Sequence, residues 1–335
     1  MSQNSAIVAN RYEPLAQPTV ELLGESAVIT RVKEFVRRAA TIDGGVLITA
    51  EPGSAVDSLA RELHARSPRA AAAYVTVECA GREAGGIDRI LFGDAPTNGA
   101  SDLESVSKDS SVARARGGVM FLQDVVELPA GAQARLARIA RDGEVRIDGV
   151  IVETGFRLVA GAPASIDADV DAHRFRADLY RRLSAVRIDL PPLRDRLEDV
   201  PVIATRLLGE ACATRGVAPR AFTQAALALI GALTWPGNLG ELRDAIDRVV
   251  VDSRDEVVHV EHLLPALRLQ RGAEAFRPSG SLREARSRFE RDYIASVLQH
   301  HGWHMANAAQ TLGIQRPNLY RKARQLGIPL GRITE

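Results

Sequence analysis

The sequence predicts an α/β domain with a parallel sheet flanked by helices, then a small helical subdomain, then an all-α helix-turn-helix unit. Three observations predict it. Short apolar runs alternate with segments of helical periodicity as far as residue 160, which is the pattern of a parallel sheet whose crossovers are helices. From Val200 to Leu267 the pattern is wholly helical. The last 30 or so residues carry two short helical stretches around a glycine turn, with basic side chains concentrated there.

Residues 1–19 are polar, include two prolines and read as a poorly ordered tail. Val28, Val32, Phe35, Val36 and Ala39 fall at helical spacing between Ala27 and Ala40. Gly45–Thr49 is a buried strand, followed by a glycine-containing loop and a helix from Asp57 to Ala65. Tyr74–Val77, Val119–Leu122 and Phe156–Ala160 are three further strands. The stretch 94–113 is rich in Ser, Asp, Asn and Gly and reads as a long surface loop. Trp235-Pro236-Gly237-Asn238 breaks the helical region, and residues 270–280 form a linker. The expected boundaries are 1–19, 20–200, 201–269, 270–280 and 281–335. No internal repeat is visible.

Composition excludes several classes of protein. Formal net charge is +1, so any nucleic-acid footprint has to be local. Cys79 and Cys212 lie far apart in apolar contexts, which points to neither a disulfide framework nor a metal site and fits a reducing cytosol. No apolar run approaches the ~20 residues that span a bilayer, and the first residues lack the order of a signal peptide. A cytoplasmic protein without membrane contact is expected.

The strongest functional signal runs from Gly302 to Ile328. Ala308, Ala309 and Leu312 give one short helix an apolar face, and Gly313 suits the left-handed end of a helix. A second helix starts near Arg316, with Pro317 tolerated in its first turn. Leu319 and Ala323 face inward, while Arg316, Asn318, Arg321, Lys322 and Arg324 project elsewhere. Residues 303–332 hold four Arg, one Lys and no acid, about +5 against +1 for the whole chain. A basic helix held across a tight turn enters a major groove of double-stranded DNA, where arginine pairs with guanine and asparagine with adenine. The segment resembles the Fis-type helix-turn-helix that closes bacterial enhancer-binding proteins. By that resemblance the helical stretch 281–301 forms a homodimer interface.

Upstream, Gly24-Glu25-Ser26, Leu91-Phe92-Gly93, Gly117–Leu122, Arg174–Leu183, Pro191–Arg196 and Trp235–Asn238 occur in order. Together they resemble the AAA+ domain of the NtrC family, the activators that remodel sigma-54 RNA polymerase. The resemblance implies an α/β AAA+ domain with a helical lid. A receiver domain, common upstream in this family, does not fit in the first 20 residues.

Departures from the family pattern cluster at nucleotide-contacting positions. The loop matching the P-loop is Ala50-Glu51-Pro52-Gly53-Ser54-Ala55-Val56-Asp57, with Val56 where a lysine cradles phosphates. The strand that ends in Asp-Glu in the family ends here in Gln123-Asp124, and glutamine is a poor magnesium ligand. Glu78 replaces an asparagine, Ala160-Gly161-Ala162 replaces the Ala-Thr-Asn sensor, and Gly240 replaces a sensor arginine. Arg176 and Arg182 match the arginine-finger positions, and Asp178 and Asp189 offer them structural partners instead. The family's polymerase-contacting loop carries a Phe-Thr pair; Asp94–Ala100, after Leu91-Phe92-Gly93, carries none in that arrangement.

The expectation is thus a DNA-binding transcription regulator with a degenerate AAA+ module. It is expected not to be an enzyme, with no catalytic residues and no cofactor beyond weak ATP, ADP or another nucleotide. It is expected to act independently of sigma-54, on the housekeeping RNA polymerase, as a homodimer or higher homo-oligomer. Two alternatives stand beside it: an ATP-dependent sigma-54 activator with unorthodox residues, and an AAA-like scaffold that binds a partner regulator.

Overall fold

The computed structural model describes residues 20–81, 84–94, 103–274, 316–326 and a few positions between 291 and 309. The chain divides into two compact units, Met1–Arg268 and Leu269–Glu335. Among the described residues the helices before the last one are α1 Ala27–Thr41, α2 Val56–Ala65, α3 Ala84–Phe92, α4 Ser111–Arg114, α5 Ala130–Asp142, α6 Ile166–Asp171, α7 Ala177–Leu183, α8 Val200–Arg215, α9 Gln224–Ala232, α10 Asn238–Asp252 and α11 Val260–Glu274. The last is α12, Arg316–Gln325. The strands are β1 Val46–Ala50, β2 Tyr74–Glu78, β3 Val119–Gln123, β4 Glu144–Ile147, β5 Val150–Glu153, β6 Arg157–Pro163, β7 Val186–Asp189, and a two-residue pair, β8 Ala221–Phe222 and β9 Val257–Val258.

Five strands form one parallel sheet in the order β2-β3-β6-β1-β7. All five residues of β1 are buried, because helices cover both faces and no side of the strand meets water. One face packs Leu47, Met120, Leu122 and Leu158 against α3, α5 and α7. The other packs Val46, Ile48, Phe121 and Val159 against α1 and α2. The four strands read from the sequence are all present. The fifth, β7, went unread because Val186-Arg187-Ile188-Asp189 has only two apolar residues; it is recruited by pairing with β1, Val46 opposite Val186.

The polar stretch 94–113 differs from the expected free loop where it is described. Glu104 is buried and accepts from Arg135 at 2.8 Å and Arg138 at 2.6 Å, and the Arg135 guanidinium lies 3.9 Å over the Phe92 ring. Val106 N–H donates to the Arg146 carbonyl at 2.9 Å, which ties the stretch to the β4–β5 hairpin. A buried carboxylate with two arginines is a packed element. Residues 95–102 lie outside the described residues. The expected linker also differs, since α11 continues to Glu274. Among the described residues no helix is long and apolar enough to cross a membrane.

The lid helices α8 to α11 enclose a second core around Trp235, whose indole N–H donates to the Ile230 carbonyl at 2.9 Å. A 3-10 turn, Val20–Leu22, straps the two cores together: Val20 is buried in the lid core and Leu22 in the sheet core. Between them Glu21 is buried against Arg196, at 2.6 Å, with both side chains 1% exposed. The second Glu21 oxygen accepts from the Ala55 N–H at the start of α2. Three more bonds hold the strap: Asp199 accepts from the Glu25 and Ser26 N–H groups at 2.9 and 3.0 Å and from the Ser26 hydroxyl at 2.6 Å. Gly24 permits this approach, with φ +111° and a Cβ position that would fall 2.1 Å from the Asp199 carboxyl carbon.

Removing one partner of a buried ion pair leaves the other charge desolvated, so Arg196→Ala should cost about 3–5 kcal/mol in urea unfolding. Replacing both partners, Glu21→Leu with Arg196→Met, should recover most of that loss, because no lone charge remains. A double variant as unstable as Arg196→Ala would contradict this account.

Candidate functional site

The loop between β1 and α2 is held from outside itself. Asn238, at the start of α10, donates from Nδ2 to the Pro52 carbonyl at 3.0 Å and accepts at Oδ1 from the Leu193 N–H at 3.0 Å. The Gly240 N–H donates to the Gly53 carbonyl at 2.8 Å. Arg194 grips the Glu51 carboxylate with two bonds of 2.6 and 2.7 Å, which hold the Glu51 carboxyl below its ordinary range. Gly53 has φ +83°, and a Cβ there would lie 2.1 Å from the Gly237 carbonyl oxygen. The lid therefore rests backbone against backbone on this loop. A Cβ at position 240 would meet the Gly53 backbone at 3.4 Å, an ordinary contact distance, so it is Gly53 and not Gly240 that the close approach requires.

Beneath the loop lies a cavity of about 600 Å³ at the C-terminal ends of β1, β3 and β6. That is where open α/β sheets place ligands. Gly53, Val56, Asp57, Gln123, Asp124 and Gly161 all line it, so the structure brings the sequence-predicted cleft residues together. Val56 and Gly161 fit one another: a Cβ at 161 would fall 2.9 Å from the Val56 Cγ1 atom. The lining contains four carboxylates, Glu51, Asp57, Asp124 and Glu127, and no Lys, Arg or His. Among the described residues no group of His, Cys, Asp and Glu is arranged to hold a metal ion.

Tested against a nucleotide, the cleft divides in two. Its backbone path fits in part: a glycine with positive φ leads into the N-terminus of α2, while the Ser54, Ala55 and Val56 N–H groups donate to the Glu51 carbonyl, the Glu21 carboxylate and the Ser54 carbonyl. Its side chains do not supply the cation and carboxylate–metal set that balances a triphosphate. No chemical step is derived through that group.

Arg176 and Arg182 stand outside this cavity. Arg176 pairs with Asp178 at 2.7 and 3.0 Å, and the pairing lowers the Asp178 carboxyl. Arg182 donates to the Ala140 carbonyl at 2.9 Å and lines a second, open cavity of about 660 Å³ at the other end of the sheet. Asp189 accepts instead from Arg187 at 2.8 Å. Four residues that hold the loop, Glu21, Arg194, Arg196 and Asn238, were not among the candidates read from the sequence. Only Asn238 and the two arginines lay within noticed motifs, and nothing local signals the role of Glu21.

In the C-terminal unit, Leu319 and Ala323 of α12 are fully buried against Ile294, Leu298, Met305, Ala308 and Ala309. Arg316, Asn318, Arg321 and Arg324 are exposed and Lys322 is half-buried. The glycine turn at Gly313 and nearly all of 281–301 lie outside the described residues.

Comparisons with known proteins match three regions of the chain. Residues 22–189 match the Sigma-54 interaction domain, 194–278 the AAA+ ATPase lid domain, and 285–326 the Fis family of bacterial regulatory proteins. The chain is 33% identical over 308 residues to the hydrogenase transcriptional regulatory protein HoxA of Cupriavidus necator, covering 89% of this chain and 63% of HoxA. It is 34% identical over 310 residues to the alginate biosynthesis transcriptional regulatory protein AlgB of Pseudomonas aeruginosa, covering 92% and 68%. Crystal structures of NtrX from Brucella abortus in complex with ADP and with ATP each align at TM-score 0.63 and 28% identity. Those alignments cover 92% of this chain and 69% and 70% of NtrX.

These findings overturn the expectation that the chain is not an enzyme. Its body is that of an AAA+ ATPase, and a similar protein has been crystallised with both nucleotides. The physical reason is that the earlier inference weighed side chains alone. A phosphate-binding loop also works through its backbone path and a helix N-terminus, and this chain keeps a positive-φ glycine, Gly53, ahead of α2. With its three regions matched in order, the chain belongs to the NtrC-type family of sigma-54-interaction transcriptional regulators.

Proposed function

We propose that this protein is a cytoplasmic, DNA-binding transcription regulator that docks α12 in the major groove of an inverted repeat, as a dimer, while its AAA+ body takes up an adenine nucleotide. The observation that carries the reading is α12 itself: Leu319 and Ala323 anchor one side, and four cationic side chains with no acid lie along the same ten residues. That is a phosphate-seeking surface fixed to a small core. For the nucleotide, the support is the positive-φ turn at Gly53 leading into α2 at the cleft and the likeness to NtrX crystallised with ADP and ATP. The sigma-54 polymerase is the partner favoured by the match over residues 22–189. A second reading, action on the housekeeping polymerase, is favoured by one observation: Asp94–Ala100 lacks the Phe-Thr pair of the family's polymerase loop.

Three outcomes are expected. Full-length protein should protect an inverted repeat in footprinting, and removal of residues 281–335 should abolish protection. Lys322→Ala should weaken binding to all duplexes alike and lower the salt slope by about 1, as the loss of one phosphate contact does.

Isothermal titration with ADP should give a saturable signal that Gly53→Val removes, since a side chain there collides with the lid. No heat above dilution would refute nucleotide uptake.

Transcription in vitro from a promoter bearing the protein's own site should separate the two polymerase readings. Open complexes formed only with the sigma-54 enzyme support the first. A response only from the housekeeping enzyme supports the second.

A further inference from the structure

Glu21 reaches the cleft loop from the N-terminal strap. One of its carboxylate oxygens accepts from the N–H of Ala55, the residue that precedes α2. The other accepts from Arg196 Nη2 at 2.6 Å, and Arg196 Nη1 donates to the Glu21 carbonyl at 2.6 Å. An N–H at the head of a helix carries partial positive charge and attracts anions. In phosphate-binding loops such N–H groups hold phosphate oxygens. Here a carboxylate of the chain itself occupies one of them.

The arrangement leaves one donor over. The charge of Arg196 is met by Glu21, yet its Nε atom is buried and has no hydrogen-bond partner among the described residues. A buried donor without a partner carries a desolvation cost comparable to the gain from a bond to a charged group. Nε and Nη2 lie side by side on one edge of a guanidinium and match the two oxygens of a carboxylate. Arg176 holds Asp178 in that way. Glu21 already rests on Nη2 of Arg196, so a side-on pair needs only that its other oxygen leave Ala55 for Nε.

We propose that Glu21 is a resident anion that competes with nucleotide phosphate for the Ala55 N–H and has two resting places. Without nucleotide it bridges Ala55 and Arg196 Nη2. With nucleotide it turns side-on to Arg196, pairing with Nε and Nη2 together, and a phosphate oxygen takes the Ala55 N–H. The inference rests on the nucleotide reading above and adds the residue that opposes uptake. The bond lost at Ala55 is replaced at Nε, so the exchange is close to balanced and the phosphate decides it. Val20 lies in the lid core and Leu22 in the sheet core, so the residue that senses phosphate stands on the strap between them.

The test is isothermal titration of the full chain with ADP, for wild type, the Glu21→Leu/Arg196→Met pair and Arg196→Lys, each checked for folding by its thermal transition. The pair removes the competitor together with its counter-charge. If the Ala55 N–H is free in about one wild-type molecule in ten, the pair should bind ADP about tenfold more tightly. Arg196→Lys keeps the charge but offers no side-on edge, so Glu21 stays on Ala55 and ADP should bind severalfold more weakly. General loosening of the strap would shift both variants the same way. A third measurement needs no variant and decides the matter if one fails to fold. The nuclear magnetic resonance signal of the Arg196 Nε–H in wild type should move downfield on saturation with ADP, as the group gains a carboxylate. Affinity in the pair no higher than in wild type, undiminished affinity in Arg196→Lys, or an unmoved Nε–H signal would overturn the inference while leaving nucleotide uptake standing. Absence of ADP binding in wild type and pair alike would overturn the nucleotide reading and this inference with it.

Discussion

The contact between the lid and the loop at residues 50–55 is the constraint on which the α/β unit depends. Everything around the cleft serves it. Gly53 lets two backbones meet, Asn238 bonds to both the loop and the Leu193 turn, and Arg194 fixes Glu51. Glu21 then closes the loop's other end at Ala55 while satisfying the buried Arg196. Glu21, Arg196 and Asn238 are buried, so each needs its partner, while Arg194 reaches Glu51 from the exposed surface. The result is that the cleft floor, the lid hinge and the N-terminal strap form one hydrogen-bonded network. A ligand entering the cleft works against that network or with it.

Val56 fills space that a side chain at position 161 would need, and Gly161 leaves it vacant. Gly240 lies instead against the Gly53 backbone. The positive φ of Gly53 leads the chain from this junction into the N-terminus of α2.

Much of this was legible in the sequence and some was not, for reasons that can be named. The strands at 46–50, 119–123 and 157–163 announced themselves because a strand buried on both faces is largely apolar, and β2, at one edge, did so through buried Val75 and Val77 alternating with exposed Thr76 and Glu78. β7 did not, since an edge strand keeps water on one side and its Arg187 and Asp189 look like loop residues. The β4–β5 hairpin carried a turn signal in Asp148-Gly149, both with positive φ, but its strands are only four residues each. The cleft residues were legible because their spacing follows a known loop. Glu21 and Arg196 were not, because their meaning lies in a partner 175 residues away, and no local pattern encodes that distance. The inference from side chains to the absence of enzyme function failed because it left out the backbone.

The sheet order also sets when the protein can begin to fold. β1 lies between β6 and β7, so this interior strand is synthesised before either of its neighbours, which lie within residues 157–189. At usual rates of translation, the roughly 140 residues from Val46 to Asp189 take about 7–30 s to appear. Throughout that interval Val46-Leu47-Ile48 is an apolar segment with both hydrogen-bonding edges open. A nascent chain in that state depends on the ribosome surface or a chaperone for cover. The molecule's most protected strand is thus, during synthesis, its most exposed one.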